Sequence, residues 1–285
     1  GLAFGPSSLV GMICDTPSPT YGVNMQQGIL EGVRGSGLEL VVHPCNRQAE
    51  SFLSEVEGFV VRQKLAGVVM PPSVSEDERV VALLKAADCP YVRIASVSLD
   101  EPERMVVTND RLGAAEAARH LADLGHRRIA FISGPDTFRS SHERGAGFAD
   151  GLAEHGLSLD PAYVRRAAYT FESGVEAAQD LLSLPAPPTA IFAGNDEMAI
   201  GVMQAARNRG LDVPGELPIV GFDDLPMASR VWPNLTTVRL PIRDMGRMAA
   251  EKLTASRRGL DPAKLNQPDV RPNLIVRESS APPRN

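Results

Sequence analysis

Residues 188–201 read PTAIFAGNDEMAIG, and this stretch decides the fold. Pro188 and Thr189 open a short apolar run, Ala190-Ile191-Phe192-Ala193, with the length and composition of a buried strand. Gly194-Asn195-Asp196 breaks the run. Met198, Ala199, Ile200, Val202, Met203, Ala205 and Ala206 then recur at helical spacing, so Asn195 or Asp196 falls where a helix N-cap belongs. In open α/β sheets the carboxyl end of such a strand is where ligands bind. Asn195 and Asp196 therefore admit two readings, a plain helix cap or a ligand contact.

The same unit recurs on both sides of this stretch. Leu9 to Cys14 is an apolar strand that ends at Asp15 and feeds a polar, proline-stiffened loop, Thr16 to Tyr21. A helix through Asn24, Ile29, Leu30 and Val33 follows. Further strands are expected at 38–43, 66–70, 91–95 and 104–108, with helices at 50–64, 76–87 and 112–124. After Gly125-His126-Arg127-Arg128 a second set begins with a strand at 129–133, a helix at about 141–155, a strand at 164–169 and a helix at 174–182. A strand at 218–222 ends in Asp223-Asp224, and a late strand at 235–240, a helix at 244–253 and a strand at 274–277 complete the chain. Strands alternating with helices, twice over, predict an α/β protein of two doubly wound parallel-sheet lobes. The late elements predict that the chain crosses back and forth between them.

Composition agrees. A chain of 285 residues exceeds what one hydrophobic core usually serves. With 43% hydrophobic and 22% charged residues it reads as an ordinary soluble globular protein, and no apolar run is long enough to span a membrane. Neither a basic start nor a long apolar segment marks a signal peptide at 1–11. Three scattered cysteines, Cys14, Cys45 and Cys89, suit a reducing cytoplasm better than a disulfide framework. A net charge of -6 argues against this stretch itself gripping DNA phosphates.

No nucleotide-binding, metalloprotease, hydrolase or redox motif is present, and the five histidines fall at no metal spacing, so no catalytic residue, metal or cofactor is assigned. What recurs is a polar residue at the carboxyl end of successive strands: Asp15, Ser96, Asn109, Asn195 and Asp223. Each alone is an ordinary cap or turn residue. Converging from two sheets, they satisfy the hydroxyls of a sugar or the polar edge of a nucleobase. Arg144, in SSHERGAGF, is either solvated or presents five fixed donors to such a ligand.

These residues carry a resemblance. NDRLGA at 109–114, LGHRRIAFISGP at 124–135, RGAGF at 144–148, PTAIFAGNDEMAIG at 188–201, VGFDDLPMAS at 220–229, LTTVRLPIRDMGRMAAEKL at 235–253 and LIVRESSAPP at 274–283 resemble the effector-binding core of the LacI/GalR family of bacterial transcription regulators. The resemblance spans essentially the whole chain. It implies a type I periplasmic-binding-protein-like fold, with two lobes joined by three crossovers and a small effector, a sugar or glycoside, in the cleft. The implied lobes are 8–126 with 241–262 and 127–240 with 263–285, and residues 1–7 are the remnant of a hinge. By position, Arg144, Asn195 and Asp223 match residues that hydrogen-bond the effector in the family, and Asn109 or Asp110 matches another. Asp15 begins the first cleft loop. Tyr21 falls at a customary aromatic position, and Phe171 is either a second aromatic wall or a core residue. The loop Thr16-Pro17-Ser18-Pro19 departs from the family pattern by an extra proline, and Thr20 replaces a common aromatic.

The family's DNA-reading headpiece precedes this core and lies outside the sequence; Leu2-Ala3 resembles the end of its hinge helix. The implied partners are operator DNA, contacted through that headpiece, and a second copy in a cytoplasmic homodimer. A sugar-binding protein of a transport system shares the same fold and is the alternative.

Overall fold

A computed structural model describes residues 7–284, so the reading of Leu2-Ala3 as a hinge remnant lies outside the described residues. The chain divides into two compact units, Gly1–Thr108 with Ile242–Val270, and Asn109–Pro241 with Arg271–Asn285. It passes from one to the other three times. The first boundary thus falls after Thr108 and not after His126, and the last after Val270 and not after residue 262.

The first unit is built from β1 (Leu9–Cys14), α1 (Pro19–Val33), β2 (Glu39–Pro44), α2 (Phe52–Gln63), β3 (Gly67–Met70), α3 (Glu78–Ala86), β4 (Tyr91–Ala95) and β5 (Met105–Val107). Its sheet is wholly parallel in the order β2-β1-β3-β4-β5. Successive side chains of a strand face opposite layers. Ile13, Val68 and Met70 join Phe52, Val56, Val60, Val80 and Leu84 in one core under α2 and α3, while the equally buried Met12 and Val69 lie outside that cluster. Helix α1 starts at Pro19, five residues earlier than the apolar periodicity predicts. Ser18 caps it and Pro19 occupies its first position, where the missing N–H costs nothing.

The second unit contains α4 (Asp110–Asp123), β6 (Ile129–Ser133), α5 (Arg139–Ala153), β7 (Val164–Arg166), α6 (Phe171–Leu182), β8 (Ala190–Ala193), α7 (Asp196–Asn208), β9 (Ile219–Asp223) and β10 (Thr236–Arg239). After α8 (Ile242–Thr254), which returns to the first unit, β11 (Asn273–Ile275) closes the second sheet. The order is β11-β10-β9-β8-β6-β7, parallel except for the antiparallel pair β10–β11. Ala130, Ile132, Ile191, Ala193, Met198 and Val202 form one core with α6 and α7. Phe131, Phe148 and Phe192 stack with ring centroids 4.9–5.7 Å apart.

Helix α4 belongs to this unit because of how closely it packs on α5. A Cβ added at Gly147 would stand 2.1 Å from the carbonyl oxygen of Arg111, so only glycine permits the approach. The ion pairs Arg111–Asp150 and Arg119–Glu154 stitch the outer face of the same helix pair.

Candidate functional site

In a doubly wound sheet the crevice opens at the carboxyl ends of the strands where the winding direction reverses. In the second unit that point lies at β6 and β8, and the segments after β6, β8 and β9 together with the start of α4 bring charged and polar side chains together there.

Arg144, on α5, is the hub and is 5% exposed. Its Nε donates to Oδ2 of Asp110 at 2.8 Å and its Nη1 to the carbonyl oxygen of Gly194 at 2.6 Å. Its guanidinium lies 3.9 Å from the ring centroid of Phe222 and 5.6 Å from that of Tyr169. Burial opposes the charge, and the oxygens of Tyr169, Asp110 and Asp223 outweigh it, so the guanidinium stays protonated.

Asp223, the last residue of β9, is 3.5 Å from Nη2 of Arg144 through Oδ1. That is ion-pair distance without hydrogen-bond geometry, and Oδ1 accepts no hydrogen bond among the described residues although it is buried. Burial pushes this carboxyl up to about 7 against the pull of Arg144, with Asp110 and Glu197 adding to the rise. The backbone holds Asp223 at φ 115 and Asp224 at φ 55, a region that side-chain-bearing residues adopt only under constraint. Asp224 is fully employed, with Oδ2 accepting from Nε of Arg239 and Oδ1 facing Nη2 of Arg277, each at 2.8 Å. Of the two adjacent carboxylates, only Asp223 presents an unsatisfied oxygen.

The stretch 188–201 does carry the cap. Oδ1 of Asn195 accepts from the Met198 N–H at 3.0 Å as the N-cap of α7, and Nδ2 donates to the carbonyl oxygen of Tyr169 at 3.0 Å. Asp196 is wholly buried, accepting from the Leu225 N–H at 2.8 Å and from the Thr237 hydroxyl at 2.6 Å. Burial, with Asp223 close by, raises its carboxyl well above the usual range. It ties β9 and β10 to the start of α7.

Of the pair Asn109 and Asp110, it is Asp110 that meets Arg144; Asn109 precedes it in left-handed conformation at the N-cap of α4. Phe171 is not brought to this site. It lines a groove of about 770 Å³ with Ile200, Met203, Val231 and Trp232, and that lining includes none of Arg144, Asn195 or Asp223. Besides Phe222, an aromatic residue at the hub is Tyr169, two positions before Phe171. Its hydroxyl meets Ser140 at 2.9 Å and Ser141 at 3.1 Å, and its ring packs so close to Gly134 that a Cβ there would stand 2.2 Å away. The available signal is an aromatic side chain immediately before Thr170, the cap of α6.

The first unit reverses its winding at β1 and β3, and Asp15 follows β1 directly. Its Oδ2 accepts from the Arg47 N–H at 2.9 Å. Arg47, which the sequence reading passed over, donates through Nε to Asp77 at 3.3 Å. The Ser75 and Ser96 hydroxyls are buried and make no hydrogen bond among the described residues. Tyr21 is half-buried in the first turn of α1, just past the loop that Asp15 opens.

Both sites are thus rich in acceptors and buried hydroxyls. Comparison with known proteins agrees. A periplasmic binding protein-like domain model matches residues 118–280, more than half the chain. The HTH-type transcriptional regulator DegA of Bacillus subtilis is 35% identical over 94% of this chain and 79% of its own length. A LacI family transcriptional regulator from Mycobacterium smegmatis superposes with a TM-score of 0.82 at 29% identity, covering 96% of this chain and all of that one. The transcriptional regulator CelR, solved as a complex with cellobiose, superposes with a TM-score of 0.83 at 26% identity, covering 98% of this chain and 87% of its own. The chain therefore belongs to the LacI/GalR family of transcription regulators, as an effector-binding core of periplasmic-binding-protein-like fold.

Proposed function

We propose that this chain senses a small, uncharged polyhydroxylated effector, a sugar or glycoside, held at the strand ends where Arg144, Asp110 and Asp223 meet in the second unit. One observation carries the reading: Oδ1 of Asp223 is buried, unsatisfied and 3.5 Å from a guanidinium that is already committed elsewhere. A buried carboxylate oxygen without a donor is costly to keep, and a ligand hydroxyl that donates to it removes the cost. Two carboxylates surround one arginine here, so the local balance disfavours an anionic ligand. The cellobiose complex of CelR supports the same class.

Effector binding acts by population shift. A ligand that binds one arrangement of the core more tightly raises its share, and a homodimer carrying headpieces at half-sites about one helical turn apart converts that shift into a change in operator affinity. The role is binding and not catalysis: Asp224 is spent on Arg239 and Arg277, so the adjacent carboxylates do not work as an acid and base.

A thermal-shift screen against neutral mono- and disaccharides, glycosides and purines tests this. A sugar at a hundred times its Kd stabilises the native chain by about 2.7 kcal/mol, and chromatography after long incubation recovers it unchanged. Stabilisation by purines alone, or turnover of the sugar, contradicts the reading.

A further inference from the structure

The first unit carries a cavity of about 390 Å³ at the other end of β4, lined by Tyr91 at the start of that strand, whereas Ser96 follows its last residue. Three cations border it: Lys85 in the last turn of α3, Arg104 just before β5, and Lys252 in the last turn of α8. Lys252 donates through Nζ to the carbonyl oxygens of Pro102 at 2.8 Å and Met105 at 2.7 Å, which fixes the amine and leaves one of its three N–H groups to spare. Arg104 lies 5.1 Å from the Tyr91 ring centroid and gives one N–H to the Tyr91 hydroxyl at 3.2 Å. Lys85 makes no hydrogen bond or ion pair among the described residues.

Among the described residues none of the three cations has a carboxylate within ion-pair distance. Several arginines elsewhere do pair with carboxylates: Arg93 with Glu78 and Asp100, Arg111 with Asp150, Arg119 with Glu154, Arg247 with Glu251. In a protein of net charge -6, three cations against the two carboxylates of the lining, Asp88 and Glu103, leave this concave surface with a small positive excess. Service to helix dipoles accounts for Lys85 alone, since Arg104 lies in no α-helix and Lys252 gives its hydrogen bonds to the 102–105 segment and not to the end of α8. Burial also holds the Lys252 ammonium below its usual pKa, against the pull of Glu103.

We propose that this cavity is a second ligand site, for a small phosphate-bearing molecule. Three cationic donors from three elements match the oxygens of a phosphate dianion better than a carboxylate, which a single arginine fork satisfies. The Tyr91 ring and Leu253 offer an apolar wall for the ester portion, and Asp88 and Glu103 at the lining give acceptors for its hydroxyls. The volume lies within the range of small-molecule sites. The site shares no residue with the one built on Arg144 and Asp223, so the proposal stands apart from the effector reading.

Calorimetric titration with glycerol phosphate, at constant ionic strength set by chloride, tests it on the full chain. Lys85 and Arg104 are exposed, so Lys85→Gln/Arg104→Gln is expected to keep its far-UV spectrum. The parent chain and Asp223→Asn should bind with the same saturable heat, and the double variant about tenfold or more weaker, the loss of one to two charge-assisted contacts. Absence of saturable binding by the parent up to about 10 mM, weaker than the millimolar range of the weakest specific sites, overturns the proposal. Equal binding by the parent and the double variant overturns it as well.

Discussion

Arg144→Met is the perturbation that the hub makes most informative. It removes a charge that balances two buried carboxylates, Asp110 at 2.8 Å and Asp223 at 3.5 Å, and it withdraws the donor of the Gly194 carbonyl. Methionine fills much of the volume beside Phe222, so packing is largely kept and the loss is electrostatic. Removing one partner of a buried ion pair costs about 3–5 kcal/mol because a charge remains buried without compensation. With a urea slope of about 2 kcal/mol/M, the midpoint for the second unit falls by about 2 M. Far-UV circular dichroism is the proper probe, since the single tryptophan, Trp232, is 87% exposed and its emission changes little on unfolding. Adding Asp110→Asn to Arg144→Met should restore about half of the loss by removing one orphaned charge. A loss below about 1 kcal/mol, or a double variant weaker than the single, refutes the assignment of Arg144 as the neutralising centre.

Asp223 makes stability depend on pH in an unusual direction. Its carboxyl titrates at about 7 in the folded chain and at about 3.9 when unfolded, so the native state binds the proton more tightly. The stabilisation is complete below about pH 4, is lost as pH rises to 7, and amounts to about 4 kcal/mol for three units. Urea midpoints between pH 4.5 and 8 should fall more steeply for the parent than for Asp223→Asn; equal slopes contradict it. Asp196→Ala strands the Leu225 N–H and the Thr237 hydroxyl in the core and costs about 2–6 kcal/mol by chemical denaturation, at about 1–3 for each group; a near-neutral result contradicts its bracing role. Gly28→Ala puts a Cβ 1.9 Å from the Arg243 carbonyl oxygen and should destabilise the first unit by about 1–3 kcal/mol through forced separation of α1 and α8; no change in its midpoint argues against that close contact.

Most of the architecture is legible in the sequence because it is written in local periodicity. The apolar runs at 9–14, 129–133 and 190–193 are too short and too continuous for anything but buried parallel strands, and the structure has them there. The start of α1 is less legible, since Pro17 and Pro19 read as a loop until Ser18 is seen to cap a helix whose first residue is Pro19. The unit to which α4 belongs is not legible at all. Periodicity announces a helix, but its partner is chosen by the clearance at Gly147, thirty-six positions from Arg111. Likewise, that Asn195 caps α7 while tied to Tyr169 is seen only in the Met198 N–H and the Tyr169 carbonyl at its two ends. At the hub, sequence similarity names Arg144 and Asp223 but not Tyr169, which the structure sets beside Arg144. Two aromatic residues flank the same cap, and only the three-dimensional path shows that Tyr169, held at φ 62, turns toward Arg144.

The central claim is that the free carboxylate oxygen of Asp223 is the effector's principal anchor. Calorimetric titration of the best neutral sugar into the parent chain, Asp223→Asn and Phe171→Ala tests it most directly. Loss of a hydrogen bond to a charged acceptor weakens binding by about tenfold or more, so Asp223→Asn should bind correspondingly worse, while Phe171→Ala, which lines the other groove, binds as the parent does. Unchanged affinity in Asp223→Asn together with a loss in Phe171→Ala would move the site to the groove beside Trp232 and contradict the account.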